Sequence, residues 1–89
     1  MRKVAAVADT WGLQIAPHLF HELTVHVMAS IPNANYLEYM DWNDDLWVTP
    51  AIPDQNGMLT PPETPGHGVA FKAEILKDCR IGGTETRAR

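Results

Sequence analysis

The stretch VTPAIPDQNGMLTPPETPG, residues 48 to 66, sets the limit on what this chain can fold into, because it holds five of the seven prolines. Each proline fixes φ and removes an amide donor, so neither a helix nor a sheet ladder runs through the stretch. It reads as an extended connection laid over a surface, with a turn at Asn56-Gly57. The 89 residues therefore divide into a compact part at 1–48, an extended C-terminal segment at 49–81 and a polar tail, GGTETRAR, at 82–89. VAFKAEILKDC, near the end of the extended segment, suits a short strand or a helical turn. A chain of this size buries only about 60 to 65% of its unfolded surface, so its stability alone is marginal.

Within 1–48 the apolar spacing predicts alternating elements. In RKVAAVADTW, residues 2–11, Val4, Val7, Ala8 and Trp11 fall on one helix face, and Gly12 supplies a stop. LQIAP follows as a short strand, halted by Pro17. From Leu19 to Ser30 a second helix presents Phe20, Leu23, Val27 and Ile31, and Pro32 ends it. NYLEYMDW reads as a second strand with Tyr36, Glu38 and Met40 on one face. Helix, strand, helix, strand is the order of a βαβ unit, with parallel strands and a right-handed crossover. Two such strands and two helices cannot cover both faces of a parallel sheet. The pattern is that of part of a larger fold, which by itself leaves apolar surface bare.

Charge excludes one class of partner. The formal net charge is −4, and no Lys or Arg occurs between Lys3 and Lys72. Affinity for nucleic acid comes mainly from basic side chains on phosphates, so no nucleic-acid partner is expected. No apolar run approaches 18 residues and no signal peptide is present, so no membrane partner is expected either. A single cysteine, Cys79, excludes an internal disulfide, and a cytoplasmic location is the expectation.

Three motifs invite a functional reading and fail on spacing. HELTVH looks like a zinc-protease signature, but His21 and His26 are five residues apart and diverge by about 140° around a helix, so they cannot share a metal. They read as surface or packed histidines. DWNDDL begins like a calcium loop at Asp41, Asn43 and Asp45, yet Leu46 stands where glycine is required and Ile52 where the closing glutamate belongs. PPETP is a stiff linker rather than a recognition motif.

His18 and Glu38 hold up better. Each lies at or near the end of a predicted strand, and the intervening helix of about eleven residues returns the chain by about 16 Å, matching a five-residue strand. Both side chains then reach one rim, where parallel α/β proteins bind ligands. A lone strand-end histidine is often only a satisfied polar group, so spacing by itself leaves both readings open.

PHLFHELTVHVMASIPNANYLEYMDW, together with WGLQIAPH, YLEY and the closing PETPGHGVAF, resembles the last third of the barrel domain in the enolase superfamily. The branch is the mandelate racemase-like one that includes acid-sugar dehydratases, and the likeness runs from Met1 to about Ile81. The resemblance implies an α/β fold, the C-terminal part of a (β/α)7β barrel, with LQIAP as seventh strand and NYLEYM as eighth. It implies that His18 is the general base or acid moving the proton α to a substrate carboxylate, and that Glu38 hydrogen-bonds that carboxylate as enediolate charge develops. A carboxyl on an apolar face tends to stay neutral, which suits it as a donor. The resemblance further implies Mg2+ as cofactor in the intact enzyme, a small sugar-acid substrate and a homo-oligomer. The metal ligands of such enzymes, and the aspartate that orients the histidine, would precede Met1. Asp9, on the first helix, does not replace that aspartate. The expected function is that of a C-terminal piece of a Mg2+-dependent dehydratase, racemase or epimerase, inactive by itself and read from a truncated or split reading frame. The alternative is a stand-alone interaction module that pairs an open sheet edge without catalysis.

Overall fold

Helix α1 spans Arg2–Thr10, and its end is built as the glycine requires. Gly12 takes φ 67°, its N–H reaches the Asp9 carbonyl at 3.0 Å, and Leu13 N–H reaches the Ala8 carbonyl at 2.9 Å. This is the paired closure in which a left-handed residue turns the chain back over the last carbonyls. A computed structural model describes residues 1–83; the remainder of the polar tail lies outside the described residues. Helix α2 spans His21–Met28, a six-residue 3-10 helix covers Asp41–Leu46, and α3 spans Ala73–Cys79.

The two expected strands are a correction. Neither LQIAP nor NYLEYM forms a regular strand; the segments meet at one parallel bridge, Ile15 with Ala34. Ile15 N–H donates to the Asn33 carbonyl at 2.8 Å and Asn35 N–H to the Ile15 carbonyl at 2.9 Å. The parallel direction is as expected, but among the described residues each segment has only the other as a bridged neighbour, and a parallel pair without further strands has little to extend it. Asn33 holds the junction, donating through Nδ2 to the carbonyls of Ala5 and Leu13, both at 2.9 Å.

The packed faces are a second correction. The stripe of Val4, Val7 and Trp11 on α1 is exposed, and Ala5 is the residue of that helix that is buried. On α2 the buried residues are His21, Glu22, Val25 and Met28, while Phe20 and Leu23 face outward. Large apolar side chains turn away from the chain's own core because that core is small, comprising Ala5, Val25 and Met28 with three buried polar residues. Val25→Ala is therefore expected to cost about 2 kcal/mol. Leu23→Ala, on the outward face, should stay within about 0.5 kcal/mol. Urea unfolding of both variants checks the assignment.

The proline-rich segment behaves as predicted. Its turn at Asn56-Gly57 is closed by Gly57 N–H on the Asp54 carbonyl at 2.9 Å, and the Asp54 side chain accepts from the amides of Asn56 and Met58. Those amides, Met58 foremost, hold the Asp54 carboxyl below its ordinary range. The segment returns to the body through an antiparallel bridge between Trp47 and Phe71, whose rings lie 4.5 Å apart.

Candidate active site

Between the Ile15 bridge and α2 the chain makes an abrupt bend. Leu19 and Phe20 are both left-handed, at φ 56° and 50°, a conformation costing side chains other than glycine about 1–3 kcal/mol each. This strain is why α2 begins at His21 and not at Leu19. The bend aims Leu19 N–H at Glu38 Oε2, 2.8 Å away. The same oxygen lies 2.7 Å from His18 Nδ1. Two side chains twenty residues apart thus meet, carried on segments that the parallel bridge holds side by side.

His18 is largely exposed, at 78%, and Glu38 about one-third exposed, at 34%. A carboxylate oxygen accepts, so the short contact assigns the proton to Nδ1 and leaves the Nε2 lone pair free to take another. The apolar strand face expected around Glu38 does not form, and its Oε2 accepts from Leu19 N–H. Its other oxygen has no protein hydrogen bond among the described residues. One imidazole and one carboxylate do not fit Mg2+, which demands a near-octahedral shell of oxygens.

A second polar cluster lies behind the first. His21 is 2% exposed, with its ring edge against Tyr39 at a centroid distance of 4.7 Å. Trp47 Nε1–H donates to Glu22 Oε1 at 2.7 Å, and Tyr39 O–H to Asp44 Oδ2 at 2.6 Å. His26 belongs elsewhere: its Nε2 is 3.0 Å from the His67 carbonyl, so the two histidines of HELTVH point apart as their spacing requires. Sequence reasoning missed Tyr39, Asp44 and Trp47, and set the whole acidic run aside once Asp41, Asn43 and Asp45 failed as a calcium loop. The signal available was the 21/22–25–28 spacing, a helix face that an apolar-only reading passes over because it begins with His and Glu.

The Asp44 hydrogen bond, with burial and the Asp44 charge adding to it, pushes the Tyr39 phenol up to about 12 from 10.0. A raised folded-state value means that the unfolded chain ionises first. The stabilisation is whole below about pH 10 and is lost as pH rises toward about 12. An NMR titration of the Tyr39 ring should find its midpoint near 12, and Asp44→Asn should bring it down.

Residues 1–75 match the family described as enolase C-terminal domain-like. The chain belongs to this family. In the enolase-type family its relatives are of the mandelate racemase-like kind. A 3,6-anhydro-alpha-L-galactonate cycloisomerase from Streptomyces coelicolor is 33% identical over 81 residues, 91% of this chain and 22% of that protein. L-talarate dehydratase from Polaromonas sp. JS666, crystallised with Mg and L-glucarate, superposes with a TM-score of 0.73 at 31% identity over 84% of this chain and 21% of that one. An enolase from alpha proteobacterium bal199, solved with bound Mg, gives a TM-score of 0.77 at 31% identity, covering 84% of this chain and 20% of that one. The chain thus spans about a fifth of the length of the relatives it matches. Such neighbours make the α/β architecture that of part of an enolase-type C-terminal domain, although the described residues form only isolated bridges.

Proposed function

We propose that this chain supplies the proton-transfer half of a (β/α)7β active site that removes the proton α to the carboxylate of a sugar acid, leading to dehydration or to racemisation. The observation that carries this reading is the 2.7 Å contact between His18 Nδ1 and Glu38 Oε2 on bridged parallel segments. The named activities of the relatives, a cycloisomerase and a talarate dehydratase, support the substrate class.

His18 Nε2 takes the α proton. As the ring becomes an imidazolium, the Nδ1–H contact to Glu38 turns into a charge-assisted hydrogen bond and strengthens while the carbanion forms. Glu38 thereby orients His18 and answers its charge. In dehydration the proton held on Nε2 is passed to the departing β-hydroxyl, which leaves as water; racemisation would need a second acid on the opposite face of carbon α to deliver a proton while His18 keeps the one it took. Mg2+ would have to be held by residues other than this pair. The interaction-module alternative gains little from the structure, because one bridged residue per segment offers no sheet edge to extend.

The test is a chimera in which the matching segment of the Polaromonas dehydratase is replaced by residues 1–75. Incubated in D2O with L-glucarate, a folded chimera should wash deuterium into carbon α. A folded chimera that leaves the α proton in place contradicts the proposal.

A further inference from the structure

The cluster of His21, Glu22 and Asp44 takes no part in the proton transfer, and the chain's own groups leave it incomplete. One donor atom of each residue lies within 4.8 Å of the other two. His21 Nε2 and Asp44 Oδ1 face one another at 3.9 Å, too far for a hydrogen bond, and both are buried without a partner. Buried polar atoms are almost always partnered, so a facing pair left over marks a missing occupant.

Charge points the same way. Two carboxylates converge on one imidazole, no Lys or Arg occurs between Lys3 and Lys72, and no basic side chain other than His21 pairs with Glu22 or Asp44 among the described residues. Each carboxylate is also oriented in a way that suits a ligand. Glu22 Oε1 is held by the Trp47 indole and Asp44 Oδ2 by the Tyr39 phenol, which leaves one oxygen of each free. Outer hydrogen bonds of this kind fix ligating carboxylates around a metal.

We propose that His21, Glu22 and Asp44 form a site for a divalent transition-metal ion, with Zn2+ the best-fitting case. In the tetrahedral arrangement zinc prefers, two ligands about 2.1 Å from one ion lie roughly 3.4 Å apart. The 3.9 Å gap between His21 Nε2 and Asp44 Oδ1 would close by about 0.5 Å on binding, and Glu22, with Oε1 kept on Trp47, offers as third donor its free oxygen, 3.8 Å from His21 Nδ1. One imidazole with two carboxylates favours zinc over Mg2+ or Ca2+, which take shells of oxygen. A cavity of about 220 Å3 lined by Phe20, His21, Glu22, Met40 and Trp42 gives the ion a way in. The ion would tie the start of α2 to the 3-10 helix. This site shares neither ligands nor role with the Mg2+ expected of the family.

Titrating the full chain with ZnCl2 by calorimetry, while following the His21 ring nitrogens by NMR, tests the assignment. The expected result is one ion per chain with a shift of His21 Nε2. Asp44→Asn and His21→Gln should each weaken binding by about tenfold or more. A variant lacking His26, His67 and Cys79 should bind as the parent does. Absence of binding, an unmoved His21 signal, or binding that survives Asp44→Asn and is lost in the triple variant would overturn the proposal. The His21 signal is read on the parent chain, so it decides even if a variant fails to fold.

Discussion

In the dehydratase chimera, His18→Asn lowers α-proton exchange by about 10^2- to 10^4-fold, the contribution typical of a positioned general base. Asparagine keeps a polar group near Glu38 but has no nitrogen that takes up a proton near neutral pH. The loss should appear in kcat, with KM little changed, because His18 acts on the proton in flight and not on the bound carboxylate. His26→Asn provides the control: its ring is engaged with the His67 carbonyl and leaves the rate as it was. Deuterium incorporation followed by NMR gives both numbers.

Glu38→Ala has the second large effect, and it falls on stability and chemistry together. It strips the part-buried Leu19 N–H of its acceptor and removes the contact that closes a bend made of two left-handed residues. An amide left unpaired costs about 1–3 kcal/mol. Glu38→Gln separates the two roles. The glutamine oxygen still accepts from Leu19, so most of the stability returns, while the charge that answers the His18 imidazolium does not, and exchange stays slow. Urea unfolding of the chain and exchange in the chimera measure the two roles separately. If Glu38→Gln restored both, Glu38 would be a structural acceptor and nothing more.

How much of this was legible in the sequence depended on whether the cause was local. Gly12 as a stop, the Asn56-Gly57 turn and the end of α2 before Pro32 follow from backbone chemistry within a few residues, and all three are present. His18 and Glu38 do meet, as their spacing led one to expect, but through a left-handed bend and one parallel bridge and not through the strands and helix length that the spacing assumed. The strands were not legible, since the alternation in NYLEYM states a preference that a single partner segment cannot satisfy. The buried faces were misjudged for a related reason: Val4, Val7, Trp11, Phe20 and Leu23 form the stronger apolar stripes, yet they face outward. Such stripes fit the packing of a larger enolase-type domain. Asp44 gave no signal at all, being one aspartate in an acidic run whose inward turn is set by the 3-10 helix and Tyr39.

Proton abstraction by His18 requires Glu38 to hold it through Nδ1 so that Nε2 is the basic nitrogen. Long-range 1H–15N correlation on histidine-labelled chain, read on the neutral ring, shows this directly. The prediction is a proton on His18 Nδ1 and a bare Nε2, with Glu38→Gln shifting the ring toward the other tautomer. A His18 ring that carries its proton on Nε2 in the parent chain, unmoved by Glu38→Gln, would contradict it.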